Sequence, residues 1–210
     1  MLLRTHEGEI PCGTITDTPC FAWRGQHLDC ARHFYQPSTI LDLLDLMAVL
    51  KLNRFHWHFA DDEAFRLQID CYPELWQQTE MRGEGHLIPA IFSGSAHAGG
   101  SYSKDVASAM IAHAKTLNIE VMPEIEMPAH ALALAKVFPE TRDPEDTGTE
   151  RSVQGYTDNV VNPAMAKTWE ILNALAKEVG ALFPCGVLHL GCDELPKETW
   201  MGSPAAKALM

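Results

Sequence analysis

The sequence predicts an α/β fold built on a parallel sheet. Four strand-like stretches alternate with amphipathic helical ones along 210 residues, and that alternation calls for parallel strands joined by right-handed crossovers. Polar and acidic residues follow the ends of these strands, where α/β barrels carry their reactive groups. No GxGxxG or P-loop glycine pattern follows any strand, so a nucleotide site is not indicated.

Composition sets the outer bounds. With 46% hydrophobic and 21% charged residues the chain is ordinary globular material with a sizeable core. A net charge of −12 argues against nucleic acid or an acidic membrane as partner. Met1 to Gly8 contain no long apolar core, so they read as neither signal peptide nor anchor. With Met1 as the true start, the expected address is the cytoplasm. No stretch is long enough to span a bilayer. The six cysteines, at 12, 20, 30, 71, 185 and 192, form no CxxC pair and fit no zinc template, so buried free thiols are expected.

Residues 1–20 are polar and turn-rich and read as a lead-in segment; residues 21–210 read as one catalytic unit. Phe21 to Cys30 form the first strand candidate, with Arg24 inside it. Pro37 and Ser38 open a helix, Ser38 as its cap, with Ile40, Leu43, Leu44, Met47 and Leu50 on one face. Arg54 to Phe59 make an aromatic strand ending at Asp61-Asp62-Glu63. Residues 64–100 read as a long irregular loop, of a length that is usually functional.

Ser103 caps the next helix, carried by Val106, Met110, Ile111 and Ala114. Ile119 to Pro123 form the third strand, which runs on to Glu126 and His130. A short helical piece over 129–138 and a polar loop over 139–160 follow. Asn162 and Pro163 then start a helix whose buried face is Trp169, Leu172, Leu175, Ala176 and Val179. Val187 to Leu190 make the fourth strand, leading through Gly191 and Cys192 to Asp193 and Glu194.

The chemistry gathers at those strand ends. Two adjacent carboxylates, Asp193 and Glu194, are poorly placed to flank a sugar ring from opposite faces. They suit a glycosidase whose substrate supplies its own nucleophile through a 2-acetamido oxygen, one acid donating the proton and the other holding the acetamido group. A chain of Asp61, His130 and Glu194 could tune that proton delivery. Arg24, a guanidinium within a strand, needs acceptors, and sugar hydroxyls or Asp193 would serve. Blander readings stand beside these: His130 as a helix-start histidine, Asp61 and Asp62 as turn or capping residues, Asp193 or Glu194 as the opening of a helix. His56 and His58, two apart on a strand, face one side and with Asp61 or Asp193 would fit a metal-dependent amidohydrolase.

Several motifs carry a family resemblance. Arg24-Gly25, Leu28-Asp29, Ala31-Arg32-His33-Phe34, Phe55-His56-Trp57-His58, Asp61-Asp62 and Tyr72-Pro73-Glu74-Leu75 occur in order. Gly99-Gly100-Ser101-Tyr102-Ser103, Val121 to His130, and His189-Leu190-Gly191-Cys192-Asp193-Glu194 continue the series. As a set, from about Phe21 onward, they resemble the N-terminal half of the catalytic domain of family 20 glycoside hydrolases, the β-N-acetylhexosaminidases.

The resemblance implies Glu194 as general acid/base and Asp193 as the group that orients the acetamido and stabilises an oxazolinium intermediate. It implies Arg24 on the terminal sugar, Asp61 and His130 as the relay behind Glu194, and a structural role for His58. It implies no metal or organic cofactor. The implied substrate is an oligosaccharide ending in β-linked N-acetylglucosamine or N-acetylgalactosamine, as in chitin fragments. Two positions depart from the pattern: Cys192 stands where a second glycine is usual, and Ala129 where glycine precedes the histidine. The implied fold is a partial (β/α)8 barrel, roughly its first four β/α units. Its open edges suggest a piece of a longer product, a catalytically incompetent remnant, or a chain that self-associates to cover them.

Overall fold

A computed structural model of the chain describes residues 12–89 and 97–209. Three parallel strands make the main sheet: β1 (Gly25–Asp29), β2 (Arg54–His58), which follows helix α1 (Pro37–Val49), and β7 further on (Glu120–Glu124). Their order is β1-β2-β7, with Gly25 opposite Arg54 and Arg54 opposite Glu120. The fourth predicted strand narrows to one parallel bridge, His189 against Glu124, with the His189 N–H on the Pro123 carbonyl and the Ile125 N–H on the His189 carbonyl. The architecture is α/β with parallel strands, as expected.

Between β2 and β7 the described residues form more regular structure than the predicted loop, of which residues 90–96 lie outside the described residues. They form a tight antiparallel pair, β3 (Ala60–Asp61) and β4 (Ala64–Phe65), then helix α2 (Pro73–Thr79) and a second pair, β5 (Met81–Gly83) and β6 (His97–Gly99). These elements are too short to show periodicity in sequence. Helix α3 (Lys104–Thr116) precedes β7, and α4 (Leu132–Val137), α5 (Ala166–Leu182) and α6 (Pro204–Lys207) follow it.

The caps test the local readings. Ser103 accepts the Val106 N–H and caps α3, as its position predicts. Ser38 does not cap α1. Pro37 already occupies the first turn and Gln36 stands at the cap, so Ser38 lies inside the helix. Asn162 accepts the Ala164 N–H in a turn of its own, and α5 starts four residues later. Its buried face is therefore Thr168, Ile171, Leu175 and Val179, while Trp169 is 51% exposed.

The sheet separates its two faces by alternation. Phe55, Trp57 and Val121 point into the core beneath α1, α3 and α5, where Ile40, Leu44, Met47, Met110, Ala114, Ile171 and Leu175 pack. Trp57 meets Tyr102 edge-on at 5.0 Å. The opposite face carries His27, Asp29, His56, His58 and Glu124. All six cysteines are free, but only Cys30 is buried, which corrects the expectation of buried thiols. No helix among the described residues is long and apolar enough to cross a membrane.

One buried cation ties the inserted pieces to the sheet. Arg66 donates to the carbonyls of Cys30 (2.6 Å), Ala31 (2.8 Å), Glu80 (2.7 Å) and Gly100 (2.8 Å). Replacing it with Met removes donors from four carbonyls, of which Glu80 keeps the Gly100 N–H at 2.8 Å. Arg66→Met is predicted to lower unfolding free energy by about 3 kcal/mol or more in urea titration, and Arg66→Lys to recover only part of it.

Candidate active site

Parallel strands deliver their carboxyl ends to one edge, and the sequence after each end bends a polar group over it. β1 ends at Asp29, and Arg32 follows three residues on. β2 ends at His58, and the β3–β4 hairpin then brings Asp61, Asp62 and Glu63. Beyond β7 lie Glu126 and His130, and beyond His189 lie Asp193 and Glu194.

Asp61 is the centre of this cluster. Its carboxylate is fully buried. Oδ2 lies 2.8 Å from Arg32 Nη2 and 2.9 Å from His58 Nε2, and Oδ1 lies 3.5 Å from His130 Nδ1. Burial alone would raise its pKa. Hydrogen bonds from His130 and His58 and the charge of Arg32 outweigh that and hold it well below the usual carboxylate range. The histidines respond in the opposite sense. Burial pulls both down, but the carboxylates facing them win, pushing His58 up to about 10 and His130 up to about 11.

On its far side, His130 Nε2 lies 3.3 Å from Glu194 Oε2 and 4.0 Å from Asp193 Oδ2. The predicted chain Asp61–His130–Glu194 is thus assembled in space. Asp193 and Glu194 are 64% and 44% exposed, so the two acids at the mouth are open to solvent while their support is buried. Gln154 also donates to Glu194 Oε2, at 3.3 Å.

Asp62 shares the His130 contact, with Oδ2 also 3.5 Å from Nδ1, and has a second task. Its oxygens accept the Leu132 N–H at 3.0 Å and the Asn159 side-chain amide at 3.0 Å, which fixes the start of α4 and the 139–160 loop behind His130. The capping reading holds for Asp62 and not for Asp61.

Arg24 is not brought to this edge. The strand begins only at Gly25, so Arg24 sits at the amino end of β1, and its guanidinium donates to the carbonyls of Lys51 and Phe21. The cation at the cluster is Arg32, three residues past the strand. It pairs with Asp29 at 3.0 Å and Asp61 at 2.8 Å and lies 3.5 Å from Glu63. A pocket of roughly 320 Å³ opens beside it, lined by Arg32, Glu63, Arg82 and Gln154. The sequence reading gives no site role to Arg32, Glu63 or Glu124, and places Glu126 at a strand end without assigning it a role. Applying the strand-end rule to Asp29 rather than Cys30 would have found Arg32.

Glycine 191 makes room for a buried acid. Its φ is +65°, and a Cβ there would meet Glu126 Oε2 at 1.6 Å. Glu126 is pushed up to about 8 by burial first, then by the nearby charges of Glu124 and Asp193. Burial, with Asp61 beside it, likewise raises Glu63 to about 7. Cys192, standing where glycine is usual, has φ 70°, a left-handed conformation costly for a side chain. Ala129 is not among the positive-φ residues, so its methyl meets no such penalty.

A family model for the glycosyl hydrolase family 20 catalytic domain matches residues 21–210. The chain belongs to glycosyl hydrolase family 20. Among curated family members, a β-hexosaminidase of Vibrio furnissii is 39% identical over 204 residues, covering 96% of this chain and 33% of its own length. One from Akkermansia muciniphila is 35% identical, covering 94% and 39%. The family 20 exo-β-N-acetylglucosaminidase of Vibrio harveyi, solved with N-acetylglucosamine, superposes with a TM-score of 0.89 at 40% identity. That match covers 92% of this chain and 31% of that one. The chain spans about a third of the length of the curated relatives it matches.

Two stability predictions follow from the motif's backbone. Gly191→Ala forces Glu126 out of its niche and should lower the thermal midpoint, whereas Cys192→Gly should raise stability by about 0.5–1 kcal/mol. A pH dependence follows from Glu126. Unfolded, it ionises near 4.5; folded, it holds its proton to about 8. The stability it contributes in its neutral form is full below 4.5 and is lost as pH rises through 8. Glu126→Gln, which mimics the neutral form, should gain on wild type across that window in denaturant titrations and level off above it. A constant difference would remove the assignment.

Proposed function

We propose that residues 21–210 are the N-terminal portion of a hexosaminidase catalytic domain, the first four β/α units of a (β/α)8 barrel, with residues 1–20 as its lead-in. Residues 1–11 of that lead-in lie outside the described residues. The chain-order sheet β1-β2-β7, its parallel bridge to His189 and its polar uncovered face support the barrel reading. The reaction is removal of a terminal β-linked N-acetylhexosamine, with the substrate's acetamido oxygen attacking the anomeric carbon.

The observation that carries this reading is the contact of His130 with Asp61 on one side and Glu194 on the other. Glu194 protonates the leaving oxygen. As it becomes a carboxylate it faces the cationic His130, whose charge Asp61 balances. In the second half of the reaction Glu194 takes a proton from water, which opens the oxazolinium. Asp193, adjacent and solvent-facing, holds the acetamido N–H so that its oxygen points at the anomeric carbon. Adjacent acids suit this division of labour because no second carboxylate has to reach the far face of the ring. Arg32, at the mouth and half-exposed, is the cation we assign to the sugar's hydroxyls, in place of Arg24. Neither residue set requires a metal or organic cofactor for these steps.

A second reading is that activity needs assembly. Among the described residues β1 pairs only with β2, so its outer edge is open to a second copy or to further strands.

Hydrolysis of aryl N-acetylglucosaminides tests both readings. Glu194→Gln should lower kcat by about 10²–10⁴-fold on a nitrophenyl substrate, and far less on a dinitrophenyl one whose leaving group needs no proton. Asp193→Asn should slow both alike. An equal loss on both substrates for Glu194→Gln would reject it as the acid. Specific activity rising with protein concentration would favour the assembled form.

A further inference from the structure

The carboxylate of Glu124, the last residue of β7, is buried on the polar face of the sheet, and four imidazoles converge on it. His56 Nε2 lies 2.7 Å and His58 Nδ1 2.5 Å from Oε2, with His27 Nε2 at 3.7 Å; His189 Nδ1 lies 2.6 Å from Oε1. The rings of His27 and His56 are 4.7 Å apart, and those of His56 and His189 4.6 Å. Barrel interiors are ordinarily filled by branched apolar side chains at such positions. Here the inner face carries imidazole and carboxylate, the donor pair that borderline divalent ions prefer.

Protons satisfy only part of this group: His58 Nδ1 holds Oε2 at 2.5 Å. His56 Nε2 is buried and 2.7 Å from the same oxygen, yet makes no hydrogen bond of good geometry. His189 Nδ1 accepts the Gly191 N–H at 3.0 Å, so that nitrogen carries no proton for the carboxylate oxygen beside it. Two acceptors face each other there, an arrangement a cation relieves once the Gly191 amide cedes the lone pair. The ligand atoms of His56, Glu124 and His189 all lie within 4.8 Å of one another. Tetrahedral bonds of about 2.1 Å place neighbouring donors about 3.4 Å apart, so the two short contacts need to open by only about 0.7 Å. The donors are also well anchored. His27 and His56 are register partners on β1 and β2, and His189 bridges Glu124 on β7.

We propose that His56, Glu124 and His189, with His27 at the rim, form a binding site for a divalent ion of the zinc class, joined to the Asp61–His130–Glu194 chain through His58, which contacts both Glu124 and Asp61. The site stands independently of the hydrolytic reading, which needs no metal.

The test is Co²⁺ titration of the 210-residue chain as a spectroscopic stand-in for Zn²⁺. One equivalent should bind with the visible absorption of a tetrahedral nitrogen/oxygen site and no thiolate charge-transfer band, and Zn²⁺ should displace it and raise the thermal midpoint. His56→Ala and His189→Ala should each weaken binding by at least about tenfold, while His113→Ala on the surface leaves it unchanged. His189 is half-exposed, so its variant carries the test if His56→Ala fails to fold by circular dichroism. Absence of saturable uptake, uptake unchanged in the His189 variant, or a thiolate band would overturn the proposal.

Discussion

Asp61 is the constraint on which the rest of the site depends. A fully buried carboxylate is costly unless it is paired and hydrogen-bonded. Arg32, His58 and His130 pair it from three different strand ends, and the Asp62 N–H donates to its other oxygen at 2.6 Å. Each partner is fixed in turn: Arg32 by Asp29, His58 by Glu124, and His130 by the Asp62-anchored start of α4. Removing the charge of Asp61 would strand two raised histidines and a guanidinium together. The cluster is therefore one electrostatic unit, and the exposed acids Asp193 and Glu194 are presented by it.

The same logic explains how protonation states divide among so many acids. Asp61 and Glu124 are held low by facing histidines, whereas Glu63 and Glu126 are raised by burial beside charges of their own sign. Carboxylates a few residues apart are thus set to opposite states by their neighbours, not by their chemistry. Gly191 lets Glu126 sit within this group without displacing the motif that carries Asp193 and Glu194.

Much of this was legible in the sequence, for physical reasons that differ by element. The parallel strands were readable because each is short, apolar or aromatic and followed by polar residues. Ser103 was readable as a cap because a helical apolar pattern starts just behind it. Asp61, His130, Asp193 and Glu194 were readable as strand-end groups, and the structure brings them together. Arg24 was misplaced because the start of β1 is invisible in a polar stretch, and a shift of a few residues moves a side chain from one sheet edge to the other. The β3–β4 and β5–β6 pairs and α2 escaped notice because two- to seven-residue elements carry no period. Trp169 reads as buried because it stands at helical spacing from Leu172 and Leu175, but the buried stripe runs through Thr168, Ile171, Leu175 and Val179 and leaves Trp169 on its flank. Glu126 is legible as a strand-end acid, but its burial beside Glu124 is not, because only the fold reveals which acids are buried together.

The central claim is that the carboxylates of Asp61 and Asp62 on one side and Glu194 on the other draw His130 to its charged form, against burial and the Arg32 guanidinium 3.2 Å from Nδ1. Nitrogen-15 NMR of its imidazole tests this most directly. The structure predicts both ring nitrogens still protonated at about pH 9, well above the ordinary histidine range, and a titration that moves down sharply in Asp61→Asn. A neutral, singly protonated ring at that pH in the unmodified chain, titrating near 6.5, would contradict the account.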